Sequence, residues 1–117
     1  MIRPLRLLAS ASILLLLLAA CGGGDGGDGG GPVGVEIHVE GGHVSGPERV
    51  EVTQGETVRL QVTADVSDEV HVHGYDVHAE VTPDEPAEIE LTADVAGIFE
   101  VELEEAGTLL TELEVAP

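Results

Sequence analysis

The stretch Val-Gly-Val-Glu-Ile-His-Val-Glu, from Val33 to Glu40, decides the fold class of this 117-residue chain. Apolar and polar side chains alternate along it, and a period of two places the apolar groups on one face of a β-strand. The alternation returns after turn residues such as Gly41-Gly42 and Gln54-Gly55. The later segments are 50–52, 58–62, 70–72, 77–81, 87–91, 99–103 and 109–115. Seven or eight short strands with one apolar face each predict an all-β, two-sheet sandwich.

Residues 1–20 have the pattern of an export signal. Arg3 and Arg6 precede an apolar run over residues 7–20, which is short for a membrane-spanning helix. The run ends Leu-Ala-Ala-Cys-Gly, which resembles the bacterial lipobox, in which the cysteine is acylated and becomes the mature N-terminus. This resemblance implies a lipid anchor on Cys21, the single cysteine of the chain. We therefore expect a protein held on the extracytoplasmic face of a cell membrane, at the cell surface or in the periplasm.

A flexible tether follows the cysteine. Glycine and aspartate make up residues 22–31, and these side chains bury almost no surface, so the segment is predicted to be disordered. We assign residues 21–34 to the lipidated cysteine and linker, and residues 35–117 to the β-sandwich domain.

The exported part is strongly acidic. The chain has 23 Asp and Glu against four basic residues, all Arg, and two of those Arg lie in the signal. Removal of the signal leaves two Arg against 23 acids, a net charge of −21 with histidine neutral. This balance excludes nucleic acid as a partner and disfavours adsorption to anionic lipid. A cationic protein partner remains compatible with it, and we expect a monomer.

Histidine is the side chain that offers chemistry. The segment EVHVHGYDVH, residues 69–78, contains three of the five histidines. On a strand, His71 and His73 point to the same side, about 7 Å apart at the backbone. Two neutral imidazoles at that spacing can share a metal ion, with His78 returning from the next strand as a third ligand and the two acids of the segment assisting. Cu(II) or Zn(II) are the ions expected for imidazole ligands.

The same pattern is typical of a solvated face. His71 and His73 alternate with Val70 and Val72, so exposed histidines on the polar side of a strand also explain them. Both interpretations stay open at the level of sequence. The other two histidines, His38 and His43, are isolated and are predicted to be incidental.

An enzyme is not expected. The chain has no Lys, its single Cys is assigned to the lipid, and no Ser lies in a GxSxG elbow. No acid pair is flanked by a recognisable substrate loop. Binding is therefore favoured over catalysis.

The stretch DEVHVHGYDV, followed by PAEIELTADVAGIFEVELEEAG, resembles the cupredoxin family. The upstream VTQGETVRLQVT, residues 52–63, is similar to the turn and strand that lead into the first copper ligand of that family. The resemblance implies a Greek-key β-sandwich in which a histidine follows a strand and precedes a small residue and an aromatic. In this chain that pattern is His73-Gly74-Tyr75.

This sequence departs from the family's pattern in the second block of copper ligands. Where the family has a copper-binding Cys and then a His, the aligned stretch 97–108 has Leu103 and Thr108, and no Met lies downstream. A blue-copper centre requires the thiolate and both imidazoles. The resemblance therefore implies the scaffold with only the first histidine of the ancestral site, and single-electron transfer through a type 1 centre is not expected.

Three hypotheses follow. The first is a lipid-anchored, cupredoxin-like binding module that holds Cu(II) or Zn(II) through His71, His73 and His78. The second is a metal-free acidic surface domain that docks a cationic partner. The third is an electron carrier, which the missing thiolate disfavours. The first is the hypothesis that we carry forward.

Overall fold

A computed structural model describes residues 30–117 of the chain. The predicted signal peptide, Cys21 and most of the predicted linker lie outside the described residues. The described part is built from strands, as the alternation predicted. The strands are β1 (Val33–Glu40), β2 (His43–Ser45), β3 (Arg49–Thr53), β4 (Thr57–Ala64), β5 (Asp68–Val72), β6 (Val77–Val81), β7 (Ala87–Thr92), β8 (Gly97–Leu103) and β9 (Thr108–Ala116). No helix in residues 30–117 has the length and hydropathy needed to cross a membrane.

The number of strands and the first residue of β1 both differ from expectation. Residues 30–117 contain nine strands, because a short segment with His43, outside the alternating segments of the sequence, pairs with β1 through Glu40↔His43. It is only three residues long, with Val44 its single partly buried side chain, so no alternation marks it. The first strand begins at Val33, two residues inside the range assigned to the linker.

The strands form two sheets, in the orders β2-β1-β4-β7 and β3-β9-β8-β5-β6. The pairs β1/β4 and β3/β9 are parallel, and the other pairs are antiparallel. The inward faces form a single aliphatic core, in which Ile37, Val58, Val70 and Val101 are fully buried. Burying these branched side chains between two sheets is the main stabilising term of the domain.

A bulge interrupts the alternation in β9. The register with β8 shifts between Val101 and Glu102, which leaves Leu110 as an extra residue. As a result Leu110 and Thr111 are both buried, at 3% and 1% exposure, whereas Leu109 is 49% exposed. The sequence pattern assigned Leu109 to the inner face, and this was wrong because a bulge reverses the face of every residue beyond it.

The turn between β8 and β9 is held by one carboxylate at the start of β5. Asp68 accepts hydrogen bonds from the backbone N–H groups of Glu69, Glu105 and Ala106, at 2.7, 2.9 and 3.0 Å. Desolvation raises the pKa of Asp68, but the three hydrogen bonds outweigh it and hold the pKa below the usual 3.8. The ionised carboxylate therefore ties the second sheet together at this end.

Candidate metal centre

The three clustered histidines lie on one hairpin. Strands β5 and β6 pair antiparallel, with His71 directly opposite His78. The neighbours of His71 in the strand, Val70 and Val72, are fully buried, so the imidazoles project from the outer face of the sheet. His73 follows β5 directly, and its backbone N–H donates to the carbonyl of Glu100 in β8 at 2.9 Å. The hairpin thus brings all three rings to one surface.

An aromatic contact holds the turn of this hairpin. Gly74 has a φ of +84°, and a Cβ at this position would lie 2.7 Å from Cε1 of Phe99 and closer still to Cδ1. The ring of Tyr75 packs edge-on against Phe99, with 4.8 Å between centroids. The Tyr75 hydroxyl donates to the carbonyl of Val95 at 2.7 Å and accepts its N–H at 3.1 Å. Asp76 then takes the left-handed conformation, at φ +54°.

His71 occupies the centre of the cluster. Its ring stacks on that of His78, with centroids 4.2 Å apart and planes 8° from parallel, and lies 4.5 Å from the ring of His73. The side chain of His71 is 15% exposed, whereas those of His73 and His78 are 44% and 42% exposed. The central imidazole is therefore covered by the other two.

Each imidazole has one nitrogen within hydrogen-bond distance of a glutamate. The pairs are His71 Nδ1 with Glu104 Oε2 at 2.9 Å, His73 Nε2 with Glu102 Oε1 at 2.7 Å, and His78 Nδ1 with Glu69 Oε1 at 2.9 Å. Histidines that bind metals usually make this kind of contact with the nitrogen that does not face the metal, because it orients the ring and fixes the tautomer.

The second nitrogens of two rings face the same carboxylate. Asp76 Oδ1 lies 3.2 Å from Nε2 of His78 and 3.7 Å from Nε2 of His71. Desolvation lowers the pKa of His78, but its contacts with Asp76 and Glu69 outweigh that effect and raise the pKa above 6.5. The stability that the protonated ring contributes is fully present below pH 6.5 and is lost as the pH rises through the higher pKa of the folded state.

Two overlapping groups have ligand atoms close enough to hold one ion. The first is His71, Asp76 and His78, and the second is His71, His73 and Glu104, with all ligand atoms of a group within 4.8 Å of one another. The predicted histidines are thus brought together. Glu104 was missed because its position depends on the pairing of β5 with β8, which nothing local in the sequence indicates.

The two remaining histidines lie elsewhere. His38 is in β1 and His43 in β2, both in the other sheet, and neither belongs to the two ligand groups. They provide natural controls for any measurement on the cluster.

No protein-family model and no curated protein matches the chain. Solved structures do match. A copper-binding protein, determined in the apo form, aligns over 76% of this chain and 92% of its own, with a TM-score of 0.59 and 18% identity. A purple cupredoxin from Nitrosopumilus maritimus aligns over 72% and 99%, with a TM-score of 0.54 and 12% identity.

The domain has a cupredoxin-like fold. The periplasmic domain of subunit II of cytochrome oxidase from Bradyrhizobium japonicum shares it, with a TM-score of 0.55 and 12% identity over 75% of this chain and 86% of its own. The TM-scores of 0.54–0.59 show that the fold is shared, and at identities of 12–18% the likeness extends to the fold alone.

The cupredoxin-like fold does not bring the aligned copper-ligand positions together in this chain. Leu103 pairs with Thr108 and with Val70, and both apolar side chains are buried in the core. His73 lies on the outer face beside Glu100, about 10 Å along β8 from Leu103. The strand alternation thus places Leu103 and His73 on opposite faces of the sheet, so the two aligned positions do not converge on one site. A type 1 copper centre does not fit these residues.

Proposed function

We propose that this protein is a lipid-anchored, extracytoplasmic module of cupredoxin-like fold that binds Cu(II) or Zn(II) on the outer face of the β5–β6 hairpin. It acts as a binding domain and neither as an enzyme nor as a single-electron carrier. The metal is held by imidazoles of His71, His73 and His78, with carboxylates of the same surface.

One observation carries the proposal. Three imidazoles converge within one layer of side chains, and each is already in contact with a carboxylate. Imidazole nitrogen and carboxylate oxygen suit Cu(II) and Zn(II). Thiolate and thioether ligands, which favour Cu(I), are missing from the domain, since the single Met and the single Cys of the chain are Met1 and Cys21.

The cellular location has separate support. The lipobox-like sequence at Cys21 and the acidic surface are compatible with a domain tethered outside the cytoplasmic membrane. One of the similar structures is a periplasmic domain. The structure describes neither the anchor nor the signal, so mass spectrometry of the N-terminal peptide tests this part: a diacylated Cys21 supports it, and an unmodified Cys21 contradicts it.

Calorimetric titration of residues 22–117 with Cu(II) and Zn(II) tests the metal site. The N-terminus has to be acetylated, because a free amine followed by glycines is itself a nitrogen ligand. We expect micromolar or tighter binding that is lost in the His71→Ala/His73→Ala variant. The His38→Ala/His43→Ala variant removes the same number of imidazoles and is expected to bind like the parent. Absence of heat in the parent contradicts the proposal and favours a metal-free domain that docks a cationic partner.

A further inference from the structure

We infer that the hairpin holds a single ion, in either of two ligand sets that share His71, and that the ion leaves by exchange from one set to the other. The inference rests on the proposed function and adds the stoichiometry and the route of release. The first set is His71, Asp76 and His78, and the second is His71, His73 and Glu104.

The first set is the resting position. Bonds of about 2.0–2.2 Å to a tetrahedral ion separate its ligand atoms by about 3.3–3.6 Å. Asp76 Oδ1 already lies 3.2 Å from Nε2 of His78 and 3.7 Å from Nε2 of His71. The Nδ1 atoms of both rings contact glutamates at 2.9 Å. With Nδ1–H donating there, an ion that displaces the proton between Nε2 of His78 and Asp76 meets both Nε2 lone pairs beside that carboxylate, so it enters with little movement of the ligands.

The second set competes with the first for one ring. Glu104 Oε2 contacts Nδ1 of His71, so an ion placed between Glu104 and this ring replaces that hydrogen bond. A neutral imidazole has one lone pair and one N–H, so when Nδ1 binds the ion the proton moves to Nε2, which leaves the first set. His71 therefore serves one set at a time, and the two sets cannot both be filled.

This arrangement lowers the barrier to release. When the ion passes from the first set to the second, its bonds to Nε2 of His71, to His78 and to Asp76 break, and bonds to Nδ1 of His71, to His73 and to Glu104 form. The proton that leaves Nδ1 of His71 is matched by one taken up at Nε2. The incoming ligands already lie beside the site when the old bonds break. The carboxylate of Asp76 is 90% exposed, so an external ligand can replace it from solution. Transfer to a competing ligand is then expected to proceed by substitution, with a rate that rises with the concentration of that ligand.

The test uses Zn(II) as probe and the full chain in a non-ionic detergent. We expect one Zn(II) per chain. Asp76→Asn keeps the size of the side chain and tolerates the positive φ, and it is expected to weaken binding by about tenfold or more. His73→Ala is expected to weaken binding by less than this, and to slow transfer to a chromogenic chelator by about tenfold. His43→Ala is the matched control and is expected to change neither quantity.

The outcomes separate the inference from the proposed function. Absence of Zn(II) binding to the parent chain refutes both. Two ions per chain, or a loss of affinity in His73→Ala as large as that in Asp76→Asn, overturns the inference and leaves a metal site in place. An unchanged transfer rate in His73→Ala also overturns it. Far-ultraviolet circular dichroism shows whether each variant is folded, so that loss of the fold is not mistaken for loss of a metal ligand.

Discussion

Replacing Gly74 by alanine should destabilise the domain more than any comparable substitution in a turn. Gly74 lies between His73 and Tyr75 in the hairpin that presents the imidazoles. Its backbone has a φ of +84°, and an added Cβ meets the ring of Phe99 at 2.7 Å from Cε1. The substitution therefore combines a strained backbone with a steric overlap at a ring that packs on the core.

The two contributions are of similar size. A non-glycine residue held in a sparsely populated backbone region costs about 1–3 kcal/mol. Inserting a methyl group into a packed site costs about another 1–3 kcal/mol, because the neighbouring ring and backbone must shift. The sum of about 2–6 kcal/mol is a large share of the 5–15 kcal/mol, roughly, by which domains are stable. Displacing Phe99 also releases the edge-on contact with Tyr75.

Gly55 supplies the control. Its φ is +100°, and nothing lies within 4 Å of a Cβ added there. Gly55→Ala therefore carries the backbone strain without the overlap. Urea unfolding of both variants, followed by far-ultraviolet circular dichroism, is expected to show Gly74→Ala as the less stable by about 1–3 kcal/mol. Equal losses of stability in the two variants would refute the role assigned to Phe99.

Three further predictions concern the core and the end of the second sheet at which β8 turns into β9. Because hydrogen bonds hold the pKa of Asp68 below 3.8, its contribution to stability is present above that pH and is lost as the pH falls through the lower folded-state pKa. Asp68→Asn should thus destabilise the domain at about pH 6 and much less at about pH 2, by urea unfolding; a loss independent of pH would contradict this. Thr111→Val should stabilise the domain by about 1–2 kcal/mol, since the buried Thr111 hydroxyl has no hydrogen-bond partner; a lower melting temperature argues against it. Leu103→Cys/Thr108→His should not produce the intense visible band of a copper thiolate with Cu(II), because His73 lies on the opposite face; appearance of that band would show that the ligand positions do converge.

The strands could be predicted from the sequence because the period of two is a local property. One face of each strand is buried, so every second residue from Val33 to Val39 has to be apolar. This alternation is readable in the sequence itself and indicates the strand. The bulge at Leu110 is different, because it inserts a single residue without any change of composition. The bulge buries two adjacent residues, Leu110 and Thr111. The run Thr-Leu-Leu-Thr that contains them is equally compatible with a regular strand, so the sequence does not reveal the bulge.

The sequence predicted the histidines of the candidate site but not their glutamate partners. His71 and His73 are two residues apart, and a four-residue turn brings His78 opposite His71, so both relations follow from local geometry. The contacts with Glu102 and Glu104 require β5 to pair with β8, some thirty residues further along, and that choice depends on the packing of the whole sandwich.

The measurement that tests the central claim most directly is a Zn(II) titration followed by NMR of the ¹⁵N-labelled histidine rings. If the hairpin is the metal site, the Nε2 resonances of His71 and His78 shift strongly as one equivalent of Zn(II) is added. Nδ1 of each ring stays protonated and continues to donate a hydrogen bond to its glutamate. The rings of His38 and His43 stay unchanged. Unmoved resonances in the cluster, or equal shifts in all five rings, would contradict the account.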